Sequence, residues 1–150
     1  MRIFLIKVLF LFPLLAFGQI EKQVRDDSPG LFKNQRIFHS TPKPFFKSRS
    51  EILSFVTNIP SDSIFSSTLF FKTNVMESYQ EFKLEEKKGL FEFLFDPETY
   101  PGNRVQYYFI IETKNEIYGT PISDDGKLTP VNKLLVDPVQ YFKQQARLNR

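Results

Sequence analysis

Residues 104–113 read Arg-Val-Gln-Tyr-Tyr-Phe-Ile-Ile-Glu-Thr and form the most β-prone run in the chain. Aromatic and β-branched side chains are enriched in strands because they pack well on a pleated surface. Apolar side chains occupy nearly every position, which indicates a strand that is covered on both faces. This run therefore predicts the central strand of a β domain.

Two segments upstream alternate between apolar and polar side chains, which is typical of strands with one buried face. In residues 79–85, Phe82 and Leu84 should face the core. In residues 90–95, the core side should carry three phenylalanines: Phe91, Phe93 and Phe95. The intervening residues 86–89, Glu-Lys-Lys-Gly, predict a hairpin connection, because glycine takes positive φ without strain.

Further apolar runs at residues 52–58, 64–73 and 116–121 bring the expected strands to six. A seventh is expected in residues 133–136 or in the segment before residue 51. The 3.6-residue helical period is missing from residues 51–122. The pattern predicts an all-β fold, an antiparallel sandwich of about seven strands.

A short C-terminal helix should begin at Asp137-Pro138. Aspartate caps free amide groups, and proline is favoured at the first helical position. Three apolar residues then follow at helical spacing: Val139, Phe142 and Ala146. Another face of the helix carries the basic residues Lys143, Arg147 and Arg150, and we expect that face to be solvated.

Residues 1–18 have the layout of a secretory signal peptide, with an N-terminal helix of apolar residues. Arg2 precedes the apolar stretch 3–17, and the small residues Ala16 and Gly18 indicate cleavage after Gly18. A membrane-spanning helix needs roughly 20 apolar residues, so a cleaved leader is favoured over an uncleaved N-terminal anchor, which stays open. We therefore expect export to the periplasm, the outer envelope or the extracellular space.

The expected layout of the chain has four parts. They are a signal peptide at 1–18, an extended lead-in at 19–50, a β-sandwich at 51–122 (37–136 in the wider reading) and a helical tail at 137–150. The lead-in is read as extended because residues 41–44, Thr-Pro-Lys-Pro, restrict the backbone away from helix.

Charge and composition exclude several classes of function. Two of the 20 basic residues lie in residues 1–18, so the remaining chain is nearly neutral and has no long basic run. Nucleic-acid binding needs a clustered basic face, and we expect none. With no cysteine and one histidine, the usual zinc ligand sets are missing, so we expect no metal and no cofactor.

Several segments together resemble a known family. They are 37–42 (Ile-Phe-His-Ser-Thr-Pro), 57–60 (Thr-Asn-Ile-Pro), 69–73 (Leu-Phe-Phe-Lys-Thr), 89–93 (Gly-Leu-Phe-Glu-Phe), 105–109 (Val-Gln-Tyr-Tyr-Phe) and 120–121 (Thr-Pro). The pattern resembles the fibronectin type III-like (immunoglobulin-like) β-sandwich modules of exported proteins in Bacteroidota and related bacteria. It departs from them at Lys72, where Arg is commoner, and at the turn Lys114-Asn115, which lacks a glycine. The resemblance implies a spacer, adhesion or accessory unit without catalytic residues.

Few side chains suggest chemistry. His39, the only histidine, lies in the proline-flanked lead-in and is read as structural or incidental rather than catalytic. Asp124-Asp125-Gly126 is read as a plain turn, and Glu85 and Glu86 as solvated charges at a strand end. The weak candidates for ligand binding are four tyrosines that could stack on sugar rings or lie in the core: Tyr79, Tyr100, Tyr107 and Tyr108.

The leading hypothesis is an exported non-catalytic module with an interaction, accessory or structural role in the bacterial envelope. One alternative is a carbohydrate-binding module that uses the surface tyrosines. Another is an envelope protein anchored by its uncleaved N-terminal segment, which would be its one contact with a membrane. The expected partner is a protein or a polysaccharide of unknown identity, and an enzyme is not expected.

Overall fold

A computed structural model describes residues 35–149, which are mostly β. The strands are β1 (Ile37–His39), β2 (Glu51–Thr57), β3 (Ile64–Thr73), β4 (Gln80–Lys83), β5 (Leu90–Phe95), β6 (Arg104–Thr113), β7 (Ile117–Thr120) and β8 (Val131–Leu134). One α-helix, α1 (Pro138–Leu148), follows them. The expected signal peptide and residues 19–34 of the expected lead-in lie outside the described residues.

The strands form two antiparallel sheets. The small sheet has three strands in the order β1-β2-β5, and the large sheet has five, with β6 at its centre. In the large sheet β4 and β3 lie on one side of β6, while β7 and β8 pair with successive halves of its other side. The central position that the sequence predicts for residues 104–113 is confirmed.

Phenyl rings from both sheets form the main core. Phe55 of the small sheet stacks on Phe109 of the large sheet with ring centroids 4.6 Å apart, and Phe93 meets Phe71 at 5.4 Å. Phe91 and Phe95 are fully buried in the same cluster. The two sheets therefore pack face to face in a sandwich-like arrangement, and the expected inward direction of the β5 phenylalanines is confirmed.

The outer face of the large sheet is also covered. Phe70, Tyr108 and Ile110 form a second buried cluster there, against which Tyr79 and Leu128 pack. Adjacent residues of β6 thus serve two apolar layers, since Tyr107 lies in the main core. This explains why residues 104–113 are apolar at nearly every position rather than at alternate ones.

The expected hairpin at residues 86–89 is wrong. Lys88 and Gly89 do adopt positive φ, at 57° and 78°, so the local turn forms. However, β4 pairs with β3 and β5 pairs with β2, so this segment crosses from one sheet to the other. Phe82 and Phe93 consequently meet across the core, with ring centroids 4.8 Å apart, instead of lying side by side on one sheet.

Both places where a seventh strand was expected carry one. β1 lies inside the expected lead-in and pairs with β2, and β8 pairs with the start of β6. The described part of the lead-in is therefore partly in the sheet, because Ile37 is fully buried in the core.

The C-terminal helix begins as the sequence predicts. The Asp137 carboxylate accepts hydrogen bonds from the backbone N–H groups of Val139 and Gln140, at 2.8 and 3.1 Å. These two bonds satisfy amide groups that have no partner within the helix. None of the helical residues is buried. Within residues 35–149, no helix has the length and apolar character needed to cross a membrane.

Candidate functional site

His39 lies at the end of β1 and uses both ring nitrogens in hydrogen bonds. Nδ1 is 2.8 Å from the carbonyl oxygen of Ser54, and Nε2 is 2.8 Å from the hydroxyl oxygen of Tyr107. Because a carbonyl oxygen only accepts, Nδ1–H is the donor, and Nε2 accepts the Tyr107 O–H. The ring also stacks on Phe55 at 4.5 Å.

Burial keeps both members of this pair neutral. It lowers the pKa of His39, against a smaller opposing effect of the hydrogen bond to Ser54. Burial likewise raises the pKa of the Tyr107 hydroxyl, and a hydrogen bond with Thr41 acts in the opposite direction. The neutral imidazole is hydrogen-bonded through both ring nitrogens and packs against the rings of Phe55 and Tyr107. It thereby connects β1 and β2 to β6, which is the geometry of a structural group.

The four candidate tyrosines lie on two different faces of the large sheet. Tyr107 belongs to the main core and is fully buried, so its ring has no surface on which a sugar could stack. Tyr100 packs in the same layer, with its ring centroid 5.3 Å from that of Phe71. Tyr79 and Tyr108 belong to the opposite cluster, with ring centroids 5.1 Å apart and the ring planes at 66°. The structure therefore does not bring the four rings together as one platform.

The small sheet exposes an apolar surface that the sequence analysis did not identify. Four large side chains on its outer face are about half exposed: Phe38, Ile52, Val56 and Leu94. We call this surface the small-sheet patch. The patch consists of two cross-strand apolar pairs, because Phe38 is opposite Val56 and Ile52 is opposite Leu94. Between these pairs, Ser54 is opposite Glu92, which is exposed.

A groove of about 650 Å³ lies at one end of the two sheets. It runs between the β2–β3 connection and the β6–β7 turn, and we call it the loop-end groove. Ile59, Pro60 and Ile64 provide apolar lining. The remaining lining is polar or aromatic: Arg36, Asp62, Ser63, Phe65, Thr113, Lys114, Asn115, Glu116 and Tyr118.

Hydrogen bonds hold several polar groups of the loop-end groove in place. Arg36 donates from Nε to the Asn58 side-chain oxygen at 2.8 Å and from Nη2 to the Asn58 carbonyl at 3.2 Å. The guanidinium lies 5.7 Å from the ring centroid of Tyr118. The Tyr118 hydroxyl donates to the Glu116 carboxylate, and that bond raises the pKa of the tyrosine. A ligand would therefore meet groups that are already oriented.

Phe65 is the most exposed large apolar side chain of the described residues, at 83%. It lies where the pairing of β3 with β6 shifts register between Ile64 and Ser66, as at a β-bulge. Ile64 packs against the main core while Phe65 points out to the groove. Bulges commonly re-aim a side chain beside a functional site.

The acidic segment Asp124-Asp125-Gly126 forms a turn. Within residues 35–149, no group of three or more possible ligands could hold a metal ion. Asp125 lies in a tight turn, in which Gly126 N–H donates to the Ser123 carbonyl at 2.8 Å. The hydrogen bond from Ser123 and the nearby Lys127 lower the Asp125 pKa. This is the plain turn that the sequence predicts for residues 124–126.

The signals for these two surfaces were weak in the sequence. Strand β2 carries apolar residues on both faces, so Ile52 and Val56 alternate with the buried Leu53 and Phe55. Alternation therefore does not show which face lacks cover. The exposure of Phe65 depends on its pairing partner in β6, which is not visible in a local pattern.

No family model matches the chain, and no curated protein sequence matches it. Among solved structures, the chain is similar to the endo-β-1,4-mannanase from Thermotoga petrophila, with 9% sequence identity and a TM-score of 0.46. The similarity covers 68% of this chain and 20% of the mannanase chain. A likeness of this size carries no argument about fold or function.

Proposed function

We propose that this chain is an exported, non-catalytic module of the fibronectin type III-like kind that binds a partner protein through the small-sheet patch. The observation that carries the proposal is the presence on that face of two half-exposed apolar pairs, which flank the exposed Glu92. Large exposed apolar patches, especially those with polar residues beside them, mark interaction sites on folded domains. The outer face of the large sheet instead carries a buried cluster, so its apolar side chains there are already covered.

The strand order supports this kind of module. In immunoglobulin constant-type domains, the first, second and fifth strands belong to one sheet, and the third, sixth and seventh to the other. Here β1-β2-β5 and β3-β6-β7 have the same grouping. The fourth strand differs from that pattern, because β4 pairs with β3 in the large sheet rather than with β5.

The charge within the patch favours a foreign partner over a second copy. Glu92 lies between Leu90 and Leu94 on the outer face and forms no ion pair within residues 35–149. A two-fold dimer with its axis at the centre of this face, between the two apolar pairs, would bring two Glu92 carboxylates together, which is unfavourable. A partner with an apolar surface and a Lys or Arg opposite Glu92 would satisfy both features.

Site-directed photo-crosslinking in the native host tests the patch. A photoreactive residue at Ile52 should yield one discrete adduct, which mass spectrometry identifies and which then binds the purified chain. Glu92→Lys and Leu94→Asp should each abolish the adduct, because they reverse the charge or place a charge within the apolar contact. Both side chains are exposed, so the fold should survive.

A photoreactive residue at Val75 is the matched control, since that side chain is equally exposed but lies outside the small sheet. An adduct that persists in both variants, or that consists of two copies of this chain, would contradict the proposal. Export is tested separately by sequencing the N-terminus of protein from the native host. We expect it to begin at Gln19, and a start at Met1 refutes cleavage.

A further inference from the structure

The loop-end groove combines an outward-facing aromatic ring with a polar lining, at the end of the fold where the β6–β7 turn lies. Its volume of about 650 Å³ is within the range of roughly 300–1,000 Å³ that is typical of small-molecule sites. We infer that this groove binds a neutral saccharide chain, with Phe65 as the stacking surface. The inference does not depend on the small-sheet patch.

Phe65 provides the apolar half of the recognition. One face of a sugar ring presents C–H groups, and a solvent-exposed aromatic ring can bury that face without losing a hydrogen bond. Phe65 has little to pack against within the described residues, since it is 83% exposed, whereas its neighbour Ile64 is anchored in the core. The backbone of β3 thus fixes where the side chain is attached, while most of the surface of the ring stays open.

The polar half of the recognition comes from the two loops. Sugar hydroxyls both donate and accept hydrogen bonds, so they match a lining of carboxylate, amide and ammonium groups. The side chains of Lys114 and Asn115 make no hydrogen bond or ion pair within residues 35–149. The Glu116 carboxylate is already oriented by the Tyr118 hydroxyl, which limits the ordering cost on binding.

The charge of the lining favours a neutral ligand. The lining contains two cationic residues, Arg36 and Lys114, and two acidic ones, Asp62 and Glu116. The guanidinium of Arg36 is partly satisfied by Asn58. With the charges balanced, the groove has no excess of one sign to select an acidic polysaccharide or a phosphate.

The same lining disfavours a peptide. The centre of a protein interface is usually depleted of charged residues and rich in apolar ones. The loop-end groove has charged groups of both signs and a single exposed aromatic ring. It therefore fits a ligand that offers many hydroxyl groups and one apolar face at a time.

Affinity electrophoresis tests the inference with purified protein in gels that contain soluble β-glucan, xylan, mannan or, as the acidic arm, polygalacturonate. At least one neutral polysaccharide should retard migration, and calorimetry with its oligosaccharides should give a dissociation constant. Phe65→Ala should weaken that binding by roughly ten-fold or more, as expected when a central aromatic contact is lost. Asn115→Ala should weaken it less, through loss of hydrogen bonds.

Val75→Ala is the matched control, because that apolar side chain is also exposed but belongs neither to the groove lining nor to the small-sheet patch. It should leave saccharide binding unchanged. Near-identical thermal midpoints and amide spectra would show that both variants fold. The inference is overturned if no neutral polysaccharide binds, if only polygalacturonate binds, or if folded Phe65→Ala binds as tightly as the parent. A photoreactive residue at Phe65 that captures a protein, without saccharide binding, would also overturn it.

Discussion

The environment of His39 decides how the stability of this domain should depend on pH. The imidazole donates to the Ser54 carbonyl, accepts from the Tyr107 hydroxyl and stacks on Phe55. Protonation would place a second N–H against a hydroxyl that is already donating, in a site that has lost part of its solvent. Both effects disfavour the charged form, which agrees with a pKa below the ordinary 6.5.

Acidification should therefore destabilise the protein. Below pH 6.5 the unfolded chain takes up a proton that the folded His39 resists, so the free energy of unfolding falls until the pH passes the lower folded pKa. At pH values above the ordinary histidine pKa of 6.5, the neutral His39 contributes its full stabilisation to the folded state. Urea unfolding at a series of pH values between about 7 and 5 measures the slope, and the chain has only one histidine to titrate there.

His39→Gln is the control for this pH dependence, because it removes the titrating group. Its unfolding free energy should be lower overall but nearly flat across the same interval. If the parent and the variant show parallel slopes, the coupling lies with other groups and the assignment to His39 is wrong.

At the scale of single elements, β5 separates the two surfaces of the small sheet. Phe93 is buried in the main core, with rings from β3 and β4 around it, while the next residue, Leu94, is more than half exposed. Successive side chains of a strand point to opposite faces. Two adjacent residues of β5 therefore lie in different environments: Phe93 in the main core and Leu94 on the small-sheet patch.

Truncating these two side chains should change the free energy of unfolding by very different amounts. Phe93→Ala should cost about 3–5 kcal/mol, because it leaves a cavity between the sheets. Leu94→Ala should change the free energy of unfolding by roughly 0.5 kcal/mol or less, since the side chain is exposed. Denaturant unfolding of both variants provides the comparison. Equal losses would mean that the register of β5 is shifted by one residue.

Elements with strong local signals were predicted well from the sequence. The expected runs 104–113 and 64–73 have the bounds of β6 and β3, and the Asp137 cap forms as expected. The hairpin at 86–89 failed because turn chemistry is local, whereas membership of a sheet depends on which distant strand completes it. Lys88 and Gly89 form the turn they encode, yet the strands on either side of it have other partners.

The two candidate surfaces could not be predicted from local sequence patterns, because they too depend on contacts between distant segments. Arg36 reaches the loop-end groove because it bonds to Asn58, which is 22 positions away. Phe65 is exposed because the pairing with β6 shifts beside it, and Ile52 belongs to a patch only because Leu94 is opposite. Each of these positions can be assigned only when the partner residue, which is distant in the sequence, is known. The tyrosines failed as one platform because adjacent residues of a doubly covered strand face different layers.

At the scale of the whole molecule, α1 is attached to one end of the two sheets by few contacts. A parallel bridge joins Phe46 to Val136, and the Phe46 ring meets those of Tyr141 and Phe142 at 5.7 and 5.9 Å. No residue of the helix is buried, and Val139 and Phe142 are 60% exposed. Helices of this length are marginal in water without packing, so α1 should be the least stable element.

Removing residues 138–150 should therefore lower the unfolding free energy of the remaining chain by only about 1 kcal/mol, the scale of contacts outside the main core. Thermal unfolding followed by circular dichroism should show one cooperative transition, displaced by a few degrees. Phe46→Ala, made with and without the helix, isolates the contact: its cost should be larger when α1 is present, because Tyr141 and Phe142 cover the ring. If truncation abolishes the transition, the two sheets do not form a self-sufficient core, and α1 must be counted among the elements that hold them together.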